Sequence, residues 1–461
     1  MFAINPLLNT DSYKQSHYAQ YPPGTTRVSS YIESRGGRFP QLLFFGLQAY
    51  LKEYLTEAIT ADHIAEAAEV SAAHGIPFNE AGWRHVLKAH GGRIPLAIEA
   101  VPEGTVLPSH NVLVQAVNTD PAVPWITGFF ETALVRAVWY ATSVATLAYH
   151  IRSLMAGFVS RTSDRAPEEA LPVMLNDFGS RGVSSLESSA IGGLAHLVAF
   201  EGTDNMPALL AGRRWYGAPM AGVSVPAAEH STVTAWGEAR EADAFRNMID
   251  QFAGKYPVIS VVSDSYDIFR AVSQIWGQEL RGRVMACGST IVVRPDSGDP
   301  EEIVVEVIQR LMADYGSVTN AKGFAVLPDA IRIIQGDGVN INSIEAVLTA
   351  MEEAGLSSDN IVFGMGGALL QQLDRDTQKF AMKASAVEID GEWQDIFKDP
   401  VTDPEKVSKK GRLALVRKPR GFETIAAADL GERENLLEPV FKDGELLRDE
   451  TLEEIRRRAL G

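Results

Sequence analysis

Six apolar runs in the middle and second half of the chain each stop at a short cluster of polar, charged or glycine residues. In order these are Asn176-Asp177-Phe178-Gly179-Ser180-Arg181, Val225-Pro226-Ala227-Ala228-Glu229-His230, Ser263-Asp264-Ser265, Arg294-Pro295-Asp296-Ser297-Gly298, Gln335-Gly336-Asp337-Gly338 and Gly364-Met365-Gly366-Gly367. A buried strand that repeatedly ends in a polar tip, with helical patterns between, predicts parallel strands delivering their functional groups to one rim, as in an α/β barrel. Two tips are glycine-rich, two carry arginine and one carries His230 after Glu229. The rim therefore reads as a binder of an anionic, phosphorylated small molecule.

At 461 residues the chain is too long for one ordinary core, and two or three domains are expected. From Pro172 to about Leu373 strand, tip and helix alternate regularly, with helices predicted over Ser231–Phe252 and Pro300–Tyr315. The N-terminal part mixes short strands (Val28–Ile32, Leu96–Val101) with helical stretches (Leu42–Ala58, Trp125–Phe158). Beyond the regular region, Lys379–Ile389 alternates like an antiparallel strand and Leu452–Leu460 closes as a charged helix.

The single cysteine, Cys287, excludes an intramolecular disulfide and a cysteine-based zinc site, which favours a reducing, cytoplasmic setting. Met1-Phe2-Ala3-Ile4-Asn5-Pro6 lacks the basic n-region and continuous apolar core of a secretory signal, so export is not expected. The apolar stretch Ala133–Met155 is interrupted by Arg136, His150 and Arg152, so it fits a buried helix and not a membrane span. With 42 basic against 59 acidic residues the formal charge is -17, which argues against nucleic-acid binding. The local exception is Lys398, Lys406, Lys409, Lys410, Arg412, Arg417, Lys418 and Arg420 against Asp399, Asp403 and Glu405. A solvated loop and hairpin explains such a run as well as an anion site does.

The glycines of the two late tips would let backbone N–H groups approach a phosphate without a Cβ in the way; two tight turns are the plainer account of either one alone. Asp337 cannot itself favour phosphate and is assigned to sugar hydroxyls. Arg294 and Asp296 flank a proline that stiffens their turn, and a structural salt bridge is the commoner reason for such a pair. Arg181 and Arg294 would face one anion from separate strands. His230 could take a phosphoryl group with a neighbouring carboxylate holding its tautomer. No paired-histidine spacing of the HExxH kind supports a metal.

Taken in order, Asp11-Ser12-Tyr13-Lys14, Asp177 to Ser185, Gly202-Thr203-Asp204, Ser224 to Ser231, Ser263 to Asp267, Arg294 to Gly298, Gln335 to Gly338 and Ser408-Lys409-Lys410-Gly411-Arg412 resemble the nicotinamide phosphoribosyltransferase family, a type II phosphoribosyltransferase family, from about Asn5 to the last helix. The resemblance implies an α/β fold: a barrel-like (β/α) catalytic domain over 166–379 and a second α/β domain built from 1–165 and 380–461. It implies a homodimer with active sites shared between subunits. Nicotinamide would react with 5-phosphoribosyl 1-pyrophosphate, with Mg2+ held through substrate and waters and with ATP as co-substrate hydrolysed through a phosphohistidine at His230.

Carried over by motif, Asp264, Arg294 and Asp296 join His230 in the catalytic set, and Asp11 lies among the substrate-binding residues. Phe178 and Tyr13 of the partner subunit would sandwich the pyridine ring, Asp204 would accept from the carboxamide and repel nicotinate, and Ser260 would help on that side. Arg181 and Arg294 would face the pyrophosphate or the ring amide, Asp296 and Asp337 the ribose and magnesium shell. Gly336, Gly366 and Gly367 would cradle the 5-phosphate, with Arg375 and Lys383 reaching in from the neighbouring subunit and Lys398 and Lys406 near ATP or its phosphates. Ala381 stands where relatives carry a hydroxyl and Val173 where they carry an aromatic. A nicotinate phosphoribosyltransferase is the competing reading; a different sugar-phosphate barrel enzyme would need a Schiff-base lysine or metal triad that no tip offers.

Overall fold

The computed structural model describes residues 5–402 and 407–461. It divides into two compact units, Met1–Thr146 with Arg213–Ala218 and Leu373–Gly461, and Leu147–Gly212 with Pro219–Gln372. The first division falls inside the helix Glu131–Thr162 and not near residue 165.

The second unit is built on six parallel strands. Their spatial order is Gly202–Thr203, Leu175–Asp177, Ile361–Met365, Ile331–Gln335, Thr290–Arg294 and Val258–Val262. Five of the six expected strands are among them. The run ending at Val225-Pro226 is not a strand, because Pro226 has no N–H to give and cannot sit within a ladder. It is instead an extended segment held by single parallel bridges at each end, Gly202 to Val223 and Ala227 to Ser260. Thr203 N–H donates to Val223 O at 3.0 Å and Ser260 N–H to Pro226 O at 2.9 Å, so the segment spans the two edge strands and closes the ring. Chain order is thus the order around the ring, and every strand points its C-terminal end to the same rim.

Alternate residues of these strands (Ile259 and Val261, Ile291 and Val293, Ile331 and Ile333, Ile361 and Phe363) are at most 2% exposed. The helix Pro300–Tyr315 forms as expected, with Pro300 in its first turn and Asp299 accepting from Glu301 N–H. The helix expected over Ser231–Phe252 is broken into His230–Thr234 and Glu241–Phe252, since Gly237 takes φ 79° between them.

The first unit is the α/β domain made from both chain ends. Its seven-stranded antiparallel sheet runs Glu392–Asp395, Phe380–Ile389, Thr25–Ser34, Val112–Asn118, Leu96–Ala100, Glu438–Lys442, Glu445–Leu446. The stretch expected as helical over Leu42–Ala58 starts as a strand, Gln41–Leu43, and is helical beyond it, the α-helix Leu47–Tyr50 running into the π-helix Leu51–Leu55. Leu42, Leu43, Phe44 and Phe45 are all buried, and an apolar run buried on every side carries no period to tell helix from strand. The helical stretch expected over Trp125–Phe158 divides into Ile126–Phe129 and Glu131–Thr162. Among the described residues no helix is long and apolar enough to cross a membrane.

Beneath this sheet Glu103 is buried, accepting from Gln48 N–H at 2.7 Å and Tyr216 O–H at 2.8 Å. Burial pushes its carboxyl up from 4.5 to about 7, against the pull of those hydrogen bonds. Between these values the folded chain holds a proton on Glu103 that the unfolded chain has lost, so the contribution of this group to stability falls as pH rises from about 4.5 through about 7. The shift corresponds to about 3 kcal/mol at most. Glu103→Gln should flatten that slope, measured as the urea midpoint at pH 5 and pH 8.

Candidate active site

The strand ends of the second unit bring together groups that lie far apart in the chain. Gly336, just past Ile331–Gln335, is the meeting point. A Cβ placed there would lie 3.2 Å from Asp296 Oδ1, 3.5 Å from Phe178 Cε2 and 3.6 Å from Arg294 Cδ. Two other strand tips, those carrying Phe178 and Arg294-Asp296, thus converge on one glycine. Gly364 lies under the same aromatic ring even more closely, at 2.0 Å from Phe178 Cε2 to an added Cβ.

Phe178 is fixed from its backbone, its N–H donating to Met365 O at 3.0 Å. Asp177 beside it is fully buried, accepting from Gly179 N–H at 2.7 Å and Asn205 Nδ2 at 2.9 Å. Burial pushes the Asp177 carboxyl up to about 6 although both hydrogen bonds favour the charged form. The effect on the tip is to lock the residues flanking Phe178.

His230 opens the helix His230–Thr234 with its side chain half-exposed. Its Nε2 faces Asp296 Oδ2 at 3.4 Å and Asp264 Oδ1 at 3.7 Å, and its Nδ1 shares a hydrogen bond with Ser265 Oγ at 3.2 Å. The carboxylates that orient it therefore come from two other strand tips. Its neighbour Glu229 is the N-cap, bonded to Ser231 Oγ and paired with Thr232. Arg294 Nε lies 3.6 Å from Asp296 Oδ1 and has no hydrogen-bond partner of its own. Asp264 is 5% exposed and its Oδ1 is likewise unpartnered, as is Gln335 Oε1.

Buried polar atoms left without partners at one rim mark a place shaped for a polar ligand. Asp264, with its unpartnered Oδ1, and the neighbouring carboxylate Asp296 suit a hard divalent cation such as Mg2+, which takes one or two carboxylates and completes its shell with water and phosphate oxygens. The residues present fit that group.

The other expected residues fall as follows. Asp204 is exposed, with Ser224 Oγ donating to its Oδ1 at 2.5 Å. Ser260 is buried within its strand, its backbone committed to Pro226 and Ala228. Arg181 and Asp337 are exposed on their tips. Gly366 and Gly367 follow Ile361–Met365, and a Cβ on Gly367 would meet nothing within 4 Å, so that glycine leaves open space instead of relieving a clash.

Five expected residues belong to the first unit. Asp11 Oδ2 accepts from Thr132 Oγ1 at 2.6 Å, and Tyr13 is exposed, edge-on to His17 at 5.1 Å. Arg375 is exposed and pairs with Asp376. Burial holds Lys383 below its ordinary range; Glu131 opposes this, while Arg35, Lys14 and Lys398 add repulsion. Lys406 lies outside the described residues.

Much of the basic stretch serves the fold. Lys409 pairs with Glu33, Lys418 with Glu423, and Arg412 and Arg417 lie over Trp393 and Phe422. Sequence reasoning missed Asp177, Gly364, Ser224 and Ser265 as supports of the site. Gly364 had a signal: a glycine inside an apolar strand marks a close approach.

The chain matches the family model described as the nicotinate phosphoribosyltransferase (NAPRTase) family over residues 173–445, and that described as nicotinamide phosphoribosyltransferase, N-terminal domain, over residues 5–98. It is 51% identical to a nicotinamide phosphoribosyltransferase of Xanthomonas campestris pv. campestris over 99% of this chain and 98% of that one. Identity is 33% to a nicotinamide phosphoribosyltransferase of Acinetobacter baylyi over 99% and 97%. Among solved structures, nicotinate-nucleotide pyrophosphorylase from Pyrococcus furiosus superposes with a TM-score of 0.64 at 17% identity, covering 100% of this chain and 97% of that one. Human nicotinic acid phosphoribosyltransferase gives 0.56 at 18% identity, covering 98% and 92%. These two likenesses speak for the fold.

Proposed function

The chain belongs to the nicotinamide phosphoribosyltransferase family, enzymes of pentosyl transfer, and we propose that its barrel rim performs the transfer by holding an activated ribose between a glycine cradle and fixed charges. The pyridine nitrogen of nicotinamide attacks the ribose C1 of 5-phosphoribosyl 1-pyrophosphate. The N–C1 bond forms, the C1–O bond breaks, and pyrophosphate leaves with the bonding pair. Nicotinamide mononucleotide is the second product, as a salvage step toward NAD requires.

The observation that carries this reading is the convergence of Phe178, Arg294 and Asp296 on Gly336, with His230 facing Asp264 and Asp296. Phe178 offers an aromatic face for the heterocycle. In a homodimer Tyr13 of the partner subunit would oppose it, and its exposure leaves the phenol ring available for that contact. Arg294 opposes the charge growing on the leaving diphosphate, a term realised in the transition state and therefore catalytic. Gly366 and Gly367 leave room for the 5-phosphate, while Arg181, with Arg375 and Lys383 reaching in from the neighbouring subunit and Lys398 and Lys406 near ATP or its phosphates, would supply positive charge. Asp337 takes ribose hydroxyls and Ser260 supports the carboxamide side. Mg2+, when bound, supplies positive charge beside the diphosphate; Asp264 and Asp296 would hold it through water and substrate oxygens.

Asp204 sets the choice of base. Its carboxylate, steadied by Ser224, accepts from a carboxamide N–H and repels a ring carboxylate. Asp204→Ser should raise kcat/KM for nicotinate relative to nicotinamide by about tenfold, the factor that corresponds to about 1.4 kcal/mol. Equal use of both bases by the wild type would contradict the assignment.

ATP acts through His230. An imidazole nitrogen attacks the γ-phosphorus, the bond to the β-phosphate oxygen breaks, ADP leaves, and water later removes the phosphoryl group. Mass detection of nicotinamide mononucleotide from purified protein, nicotinamide, the activated ribose and Mg2+, with and without ATP, tests the whole reading. His230→Ala should still form product without ATP but lose the ATP stimulation and any acid-labile phosphate. Absence of product in every arm refutes the transfer itself, and absence of phosphohistidine in the wild type refutes only the ATP step.

A further inference from the structure

A second constellation lies in the first unit, outside the residues assigned above. His85 and His90 are carried by the helix Glu80–His90, and Asp120 follows the strand Val112–Asn118. Both imidazole Nε2 atoms lie 2.7 Å from the same oxygen, Asp120 Oδ2. The three donor atoms all fall within 4.8 Å of one another. Two imidazoles and a carboxylate are the donor set that borderline divalent metals prefer.

A carboxylate oxygen accepting from two imidazole N–H groups is the plainer account of the contact, and its supports carry the argument further. Asp120 is held from the other side, its Oδ1 accepting from Ala122 N–H at 2.8 Å and its carbonyl from Asn118 Nδ2 at 2.8 Å. Oδ2 is therefore left to the histidines alone. The helix that carries them is seated by Trp83 and Val86, both fully buried. The Trp83 ring packs edge-on to Trp125 and Phe129 at 4.8 and 4.9 Å. The helix starts on an Asn79 cap and ends at Gly91, which takes φ 60°. His90 is its last residue, where the free carbonyl ends of the helix favour a cation. Ligands on rigid, anchored elements are the arrangement that a preorganised metal site requires.

Binding an ion needs the imidazoles to shift, and their two Nε2 atoms, within 4.8 Å of each other, to settle at tetrahedral spacing. With ligand bonds of about 2.0–2.1 Å, a tetrahedral ion sets its donors about 3.3 Å apart, so each imidazole must back away from the carboxylate by roughly 0.6 Å. Side chains that are 41%, 27% and 15% exposed have room for that movement and leave the remaining coordination position to water. The ion would take the Nε2 lone pairs, and each neutral ring would carry its proton on Nδ1.

We propose that His85, His90 and Asp120 form a binding site for a divalent transition-metal ion, with zinc as the probe, tying the end of this helix to the strand end that carries Asp120. The site is separate from the residues assigned to phosphoribosyl transfer and does not depend on that assignment.

The test uses the full chain stripped with chelator and titrated with Zn2+ against a chromophoric competitor. One ion per chain should bind and raise the melting temperature, and chelator should reverse the rise. Asp120→Asn keeps an oxygen that can accept from both imidazoles but lacks the charge; it should fold normally and bind at least about tenfold more weakly, as should His90→Ala. Should either variant fail to fold, Co2+ added to the wild type should develop visible ligand-field bands that chelator abolishes, and crystals soaked in Zn2+ should show anomalous density at the three side chains. No stoichiometric binding by the wild type, undiminished binding by Asp120→Asn, or density elsewhere only would overturn the proposal.

Discussion

Arg294→Ala should lower kcat/KM for nicotinamide mononucleotide formation by about 10²–10³-fold, the order seen when one fixed donor is taken from a site that stabilises developing charge. The guanidinium ends the strand Thr290–Arg294, is 15% exposed, and keeps an Nε with no hydrogen-bond partner 3.6 Å from Asp296. A cation held this way gives little to the fold and is placed to meet an incoming anion. The loss should therefore appear mainly in kcat, with the melting temperature nearly unchanged. Arg294→Lys should recover part of the rate, because an ammonium keeps the charge but not the planar fork. Steady-state kinetics with varied 5-phosphoribosyl 1-pyrophosphate, alongside thermal melts, make the comparison. A variant within about twofold of wild type would remove Arg294 from the chemistry, since an effect that small is under about 0.5 kcal/mol.

The rim was legible because polar tips interrupt apolar runs as strand ends do, and five of the six runs are strands of the parallel sheet. The exception is instructive. Val225-Pro226 has the apolar approach and polar tip of its siblings, yet the proline limits it to bridges at either end, and Gly202–Thr203 takes the strand position with only two residues. Two residues are too few for alternation to show.

Residue type singled out His230 but not the groups that face it. Glu229 is adjacent in sequence, whereas Asp264 and Asp296 reach the ring only once the barrel has brought their strands alongside. The basic stretch misled for the opposite reason. Charge counting cannot tell that Lys409 is taken by Glu33, or that Arg412 and Arg417 rest on aromatic faces.

Gly364→Ala should cost about 10²-fold in kcat/KM while leaving the barrel folded, because a displacement of about 1 Å in a positioning group is worth that much. The added Cβ would lie 2.0 Å from Phe178 Cε2 and 2.2 Å from Cδ2, far inside contact distance, so the ring must leave its place. It cannot take its backbone with it. Phe178 N–H is bonded to Met365 O, and Asp177 is tied to Gly179 and Asn205. Toward Gly336 the ring has only the room of one absent Cβ, whose place lies 3.5 Å from Phe178 Cε2. The ring must swing toward the space assigned to nicotinamide, raising KM for the base and lowering kcat together. Overpacking a strand in this way costs roughly 1–3 kcal/mol of stability, visible as a lowered melting temperature with a cooperative transition retained. Gly367→Ala separates the two glycine roles. Its Cβ meets no protein atom within 4 Å, so stability should hold and only KM for the activated ribose should rise. If Gly364→Ala leaves KM for nicotinamide unchanged, Phe178 is packing, and the heterocycle binds elsewhere.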